Sequence, residues 1–455
     1  MADDMRIDPW GSSQSTDYSR IIDHFGLQSL DGIDLPNPSH LHRRGIVFAH
    51  RDLDLVIDSN RKGDPFGVLT GLMPSGRMHL GHSMVIEQAN WFQKLGGDVT
   101  IAVADLESNA TRGISLSEGR RVAKEEYVAN YAALGLNPEN TNVYFQSERS
   151  IVQRLGFQLG KRTNMSEFES IYGFDGATNL AHIQAPLVQA GDILHPQLED
   201  YGGLRPIVVP VGVDQDPHLR LTRGLASKTN WFNVNEAKMG LQVGISLQEE
   251  NSEIMGVMPN GRINKEKQKA IFDGVVNSIK NLGFSDIMSN PKHGTVNVPS
   301  ATRSDKASIR LALLSLERSL GGMGLLAPSS TYHRFAIGMT GDKMSSSKPK
   351  TTLFLTDDKE TTEKKIKKSF SGGQATVEEH RRLGGNPDVD VAYQYMMYFF
   401  EKDDVFLEEI NQGYRSGKIL AGEMKQMCID RATEWLSNLK EKRDETEHLV
   451  ELFFE

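Results

Sequence analysis

The chain has 455 residues, 38% of them apolar and 24% charged, with a formal net charge of −9 at pH 7. This is an ordinary soluble composition, long enough for two or three domains, and the acidic balance argues against diffuse nucleic-acid binding. The hydrophobic runs are too short to span a bilayer, and the single cysteine, Cys428, excludes an intrachain disulfide or a cysteine zinc cluster and fits a reducing cytosol.

The start, MADDMRIDPWGSS, is acidic and polar and does not resemble a secretory signal or a transit peptide. Residues 1–60 are read as an N-terminal extension containing the segment RRGIVFAHRDLD, Arg43 to Asp54. Phe66 to Thr70 is a short apolar run suited to a buried parallel strand. Gly71, Pro74, Ser75 and Gly76 break it with a tight turn, and a helix is predicted from Met78 to about Leu95, where Gly96-Gly97 stops it. Val99 to Ala104, Val143 to Gln146 and Ile207 to Val211 are further strands. Ser115 to Gly135 is a helix opened by Ser115 and Glu118 at capping-box spacing.

This alternation predicts an α/β fold: a Rossmann-like, doubly wound parallel sheet spanning residues 61–227 and 328–356. Residues 228–327 are Asn-, Gly- and Lys-rich, with an amphipathic stretch at Lys265 to Asn281, and read as an insertion of unknown role. Residues 357–455 read as a C-terminal α-helical domain. No internal repeat is present, and no metal site is expected.

Two motifs carry the chemistry. PSGRMHLGH, Pro74 to His82, is a strand–turn–helix unit whose helix N-terminus offers free N–H groups and a positive dipole end to a phosphate. His79 and His82 share one helix face there, and Gly81 leaves room for a planar base or ribose. KMSSSK, Lys343 to Lys348, puts two long-stemmed cations around Met344, Ser345, Ser346 and Ser347, in a loop able to close over a phosphate chain. The bland alternatives are two exposed histidines and a Ser/Lys surface loop. His79 and Lys343 lie 343 − 79 = 264 positions apart, so only a fold can bring them together.

The ordered pair resembles the HIGH and KMSKS signatures of class I aminoacyl-tRNA synthetases. PVGVDQDPHLRLTR (Pro210 to Arg223), HRDLD, QAGDIL (Gln189 to Leu194) and SGGQATVEEHRRLGGNPDVDV (Ser371 to Val391) resemble the archaeal and eukaryotic tryptophanyl-tRNA synthetases. That resemblance implies activation of L-tryptophan by ATP, with Mg²⁺ carried on the nucleotide, and transfer to tRNA(Trp). A cytoplasmic homodimer with a helical anticodon-reading domain and no membrane association is implied with it. It assigns His79, His82, Lys343 and Lys348 to catalysis. ATP contacts fall to the same motifs (Pro74, Ser75, Gly76, Gly81, and Met344 to Ser347) with Gly212 and Asp214, and tryptophan contacts to Gly71, Glu107, Gln189, Asp192 and Gln215. In the bacterial branch the aspartate matching Asp192 accepts the indole N–H.

Three departures stand out. The tyrosine and glutamine that read indole in the eukaryotic branch align with Gly67 and Ala102, which shifts that task towards Asp192. The KMSSS motif carries serine in place of the second lysine, with Lys348 one step later. The insertion has no counterpart in the family core. Tyrosine is the rival substrate, although the pocket tyrosines of tyrosyl-tRNA synthetases align with Leu69 and Ala185. A non-catalytic synthetase-like paralogue and a general nucleotidylyltransferase are the readings from other classes. For RNA contact, Lys364, Lys365, Lys367 and Lys368 with Arg381 and Arg382 form a candidate basic face, equally readable as a solvated helix surface.

Overall fold

The computed structural model describes residues 18–246 and 264–454. The acidic start and part of the insertion, residues 247–263, lie outside the described residues. Eleven named strands occur among the described residues. Those of the main sheet are β1 (Gln28–Ser29), β2 (Val47–Arg51), β3 (Gly67–Leu72), β4 (Asp98–Val103), β5 (Thr141–Phe145) and β6 (Ile207–Gly212). The insertion supplies β7 (Phe232–Glu236), β8 (Leu241–Ile245), β9 (Met288–Asn290) and β10 (Thr295–Val298), and the main sheet is completed by β11 (Ser329–His333).

The main sheet has seven strands in the order β1-β2-β11-β6-β3-β4-β5. From β11 to β5 all pairings are parallel. β3 to β6 are apolar and largely buried, as strands covered by helices on both faces must be. The parallel description needs one correction. β2 pairs antiparallel with β11, and β1 antiparallel with β2. Residues 28–51 of the N-terminal segment are therefore built into the sheet.

β11 was invisible to hydropathy because its sequence, SSTYH, is polar, yet every residue of it is buried. Its hydroxyls are satisfied internally: Ser329 Oγ donates to the Asp52 carbonyl at 2.7 Å, and Thr331 Oγ1 to Gln88 Oε1 at 3.1 Å.

After β3 the chain moves to β4 on one side, and later to β6 on the other. The crevice at the carboxyl ends of β3 and β6 is thus a topological switch point, where open α/β sheets bind ligands. The helix Leu80–Lys94 leaves this edge just after β3. The stretch from Ser115 forms as predicted at its start, where Ser115 accepts from the Glu118 N–H at 3.2 Å. It then passes through a π-helical turn, Ala123–Val128, before Ala129–Ala133.

The insertion folds around its own core as a four-stranded antiparallel sheet, β7-β8-β10-β9, with the helices Lys265–Lys280 and Lys306–Ser319. Ile271, Phe272, Val275 and Ile279 bury one face of the first helix, as the amphipathic pattern requires. Its two ends meet. The Asn230 carboxamide donates to the Leu325 carbonyl and accepts the Leu325 N–H, at 2.8 and 2.9 Å. The buried Glu317 carboxylate accepts the N–H groups of Trp231 and Gly324 at 2.8 and 3.0 Å.

Beyond residue 357 the chain is helical, with the 26-residue helix Ala421–Thr446 followed by two 3₁₀ turns, Glu447–Leu449 and Glu451–Phe454. It is not a detached appendage. Met78, Leu80, Met344 and Leu353 belong to one continuous core with Tyr395, Met424 and Cys428. Arg44 ties the N-terminal segment to the same helices by donating to the carbonyls of Met397 and Glu401 at 2.6 and 2.7 Å.

Candidate active site

At the carboxyl edge of the sheet lies a cavity of about 510 Å³. The backbone brings the two motifs to it. Leu80 N–H donates to the Leu353 carbonyl at 3.2 Å, and Leu355 N–H to the Met78 carbonyl at 3.0 Å. Met344 N–H donates to the Ala336 carbonyl at 2.8 Å, which anchors the lysine-serine loop beside the end of β11. The 264 positions between His79 and Lys343 are closed by these short ladders.

His79 is the N-cap of the helix Leu80–Lys94. Its ring stacks on that of His82 at 3.7 Å between centroids, and His82 Nδ1 accepts the His79 N–H at 3.2 Å. The exposed-histidine reading is thereby overturned. Burial holds the His79 ring well below its ordinary pKa and pushes His82 down to about 4, so both rings are neutral at pH 7 and can offer an N–H without a charge. A Cβ on Gly81 would sit 3.0 Å from the His79 ring and 3.3 Å from Ala336 Cβ. The glycine is there for close approach of the two motif segments.

Lys343 Nζ lies 2.7 Å from Asp214 Oδ2, and 4.8 Å above the Phe335 ring. Gln215 Nε2 donates to the same carboxylate at 3.3 Å. A Cβ on Gly212 would come within 2.6 Å of Asp214 Oδ1, so only glycine leaves room for this carboxylate. His333, at the end of β11, accepts at Nδ1 from Gln88 Nε2 at 3.1 Å. Since Gln88 Nε2 also donates to the Met84 carbonyl at 3.2 Å, the amide orientation is fixed, and the neutral His333 ring carries its proton on Nε2. Burial lowers this histidine to about 4.

Two residues on, Asp216 turns inward. Its fully buried carboxylate receives Arg51 Nε at 3.0 Å, the Tyr332 hydroxyl at 2.7 Å and Arg220 Nε at 3.0 Å. The DQD run thus splits into a pocket carboxylate and a structural one.

Gly71, Glu107, Gln189 and Asp192, the residues expected at the amino acid, all line the cavity. Asp192 is buried on the helix Leu180–Leu194, and burial raises its carboxyl to about 7. Tyr144 OH and Gln146 Nε2 both donate to it at 2.5 Å.

Of the residues singled out from sequence, Ser75, His79, Gly81, His82, Gly212, Asp214, Gln215 and Lys343 to Lys348 also line the cavity. Pro74 and Gly76 do not. Pro74 Cγ faces Gly119, and Gly76 adopts φ +136 with open space around it, so both shape the turn without facing the ligand side. Gly67 is a second correction. It sits at the start of β3, where a Cβ would meet Ile207 Cδ1 at 2.6 Å, while Leu69 and Ala102 line the cavity.

Sequence reasoning missed Arg112, Tyr127, Tyr131, Gln146 and His218, which also line it. The only signal for Gln146 was its place at a strand's carboxyl end. Among the described residues no group of three or more His, Cys, Asp or Glu side chains could hold a metal ion, and no helix is long and apolar enough to cross a membrane.

The proposed basic face is partly consumed internally. Lys365 pairs with Asp357 at 2.6 Å, Lys367 pairs with Glu363, and Arg381 donates to the Gly417 carbonyl at 3.0 Å.

Comparison with known proteins places this geometry. A family model for tRNA synthetases class I (W and Y) matches residues 61–256 and 305–437. A tryptophan--tRNA ligase of Methanosarcina acetivorans is 38% identical over 451 residues, covering 98% of each chain. One from Thermoplasma acidophilum is 40% identical over 447 residues, covering 98% of this chain and 99% of its own. The crystal structure of tryptophanyl-tRNA synthetase from Aeropyrum pernix K1 superposes with a TM-score of 0.71 at 34% identity, covering 98% of both chains. The family model leaves residues 257–304, within the insertion, unmatched, while the relatives' alignments extend over nearly the whole chain. With its two nucleotide motifs joined at the sheet's switch point, the chain belongs to the class I tRNA synthetases (W and Y), within the family of the tryptophan--tRNA ligases.

Proposed function

We propose that this chain activates L-tryptophan with ATP, releasing pyrophosphate, and transfers the tryptophanyl group to tRNA(Trp). The observation that carries the reading is the meeting of His79 and His82 with Lys343 to Lys348 around one cavity. The amino-acid carboxylate attacks the α-phosphorus in line, so no side-chain nucleophile is needed, and rate comes from positioning and charge stabilisation. His79 and His82 donate neutral hydrogen bonds to phosphate oxygens beside a helix N-terminus. Lys343, held by Asp214 before ATP binds, exchanges that carboxylate for the departing pyrophosphate, joined by Lys348. Gly212 and Asp214 face the nucleotide; Gly71, Glu107, Gln189 and Gln215 face the amino acid. Mg²⁺ travels on the ATP phosphates.

The helices beyond residue 357 read the anticodon in this proposal. A homodimer is supported by Phe157 and Leu180, both 78% exposed on the helices Ser150–Leu159 and Leu180–Leu194. The buried, unpaired Cys428 is in keeping with a cytoplasmic location.

The test is pyrophosphate–ATP exchange with each of the twenty amino acids. Exchange with tryptophan alone is expected, and exchange with tyrosine would overturn the substrate assignment. His82→Ala and Lys343→Ala should each lose exchange while keeping the native circular dichroism. Normal exchange in both variants would overturn the motif roles.

A further inference from the structure

One acceptor in a residue lining the cavity has no hydrogen-bond partner among the described residues. Gln146 is only 2% exposed. Its backbone is fully engaged, the N–H donating to the Val103 carbonyl at 3.1 Å and the carbonyl accepting from Gln153 Nε2 at 2.8 Å. Its side-chain Nε2 donates to Asp192 Oδ2 at 2.5 Å. Its Oε1 is buried with no hydrogen-bond partner among the described residues, and the residue lines the cavity. A buried acceptor left unpaired is rare and costly, and marks a place where a ligand completes the structure.

Asp192 is differently placed. Each of its oxygens already takes a donor, Tyr144 OH on Oδ1 and Gln146 Nε2 on Oδ2. Tyr144 does not line the cavity; it lies behind Asp192 with the Arg149 guanidinium 4.2 Å over its ring. Burial holds the Tyr144 hydroxyl well above its ordinary pKa, so it stays protonated and acts as a donor. The chain Tyr144–Asp192–Gln146 has one sense. Tyrosine donates to Oδ1, and in its ionised form Asp192 takes the amide's N–H₂ side on Oδ2, since a flipped amide would then set oxygen against oxygen at that distance. The amide oxygen is then the group left over. An indole N–H is a donor with no acceptor capacity, the complement of that oxygen.

We propose that Gln146 Oε1 accepts the indole N–H of the substrate, with Asp192 and Tyr144 as positioning residues that hold the amide in the accepting orientation. The assignment rests on the tryptophan reading above, and differs from direct recognition by Asp192.

The experiment compares tryptophan with β-(benzothiophen-3-yl)alanine, in which sulfur replaces the N–H at nearly the same shape, by kcat/KM for pyrophosphate exchange. Wild type should prefer tryptophan by about ten-fold or more. Gln146→Met, which keeps the side-chain length and removes the oxygen, should lose that factor for tryptophan and hold the analogue within about three-fold, so the preference collapses. Retained activity on the analogue reports a folded pocket, which a merely structural role for Gln146 would not give. Gln146→Asn, with its oxygen withdrawn by one methylene, should collapse the preference in the same way. A preference that persists in either variant overturns the assignment in favour of Asp192. A wild type indifferent to the two substrates overturns it without any variant. No exchange with tryptophan in wild type removes the substrate reading first, and this assignment with it.

Discussion

Asp216 offers a test of whether the DQD run is divided as its geometry says. The Asp216→Ala change removes a carboxylate that is fully buried and leaves Arg51, whose side chain is 14% exposed, with no anionic partner among the described residues. Truncating one member of a buried pair costs about 3–5 kcal/mol, because the survivor stays desolvated. Arg220 is 49% exposed and returns to water, which places the loss near the lower figure, about 3 kcal/mol. In urea that corresponds to a midpoint lower by roughly 1 M. The assay is urea unfolding followed by circular dichroism, beside pyrophosphate exchange below the transition. Exchange per folded molecule should stay within a few-fold of wild type, since Asp216 faces away from the cavity. Replacing the pair together, Asp216→Leu with Arg51→Met, should recover much of the stability. A variant that unfolds like wild type but loses exchange a hundred-fold would refute the division and make Asp216 a pocket residue.

Three further outcomes follow from other features. Burial lowers His42, His195, His218 and His333 to about 4 each. The unfolded chain takes up protons near pH 6.5 where the native one does not, so this stability is full above that pH and is lost as pH falls towards 4, about 2 kcal/mol per residue at pH 5. The urea midpoint should therefore drop sharply from pH 7.5 to 5, and a flat profile would contradict the burial. Gly81→Ala forces a methyl to 3.0 Å from the His79 ring, so exchange should fall about ten-fold with less than 2 kcal/mol lost in unfolding; wild-type exchange would mean the ring is free to move. Phe157→Glu should shift the sedimentation of a dimer to that of a monomer, and an unchanged dimer would move the interface elsewhere.

Much of this was legible in the chain. Apolar runs located β3 to β6 within a residue or two, because strands buried on both faces must be apolar throughout. The Ser115–Glu118 cap was readable because capping is a local hydrogen bond. Two things escaped. β11 looks like a loop, since its burial rests on partners from Asp52 and Gln88 that no local window contains. Gln146 and Tyr144 carry no motif; their meaning depends on a carboxylate 46 and 48 positions away, on another helix. The expectation placed at Gly67 failed for a similar reason, as position along a strand decides which end reaches the cavity.

The joint at Asn230 has an evolutionary consequence. One carboxamide spans 95 positions of chain and holds both strands of the connection at hydrogen-bond distance. Seen from the catalytic sheet, the whole intervening module is a single short stitch. Its surface, its loops and even its size can drift under selection of their own, with β6 and β11 kept in register so long as that stitch and its Glu317 companion survive. A region of this kind is where relatives can acquire new contacts without retuning the chemistry a few strands away.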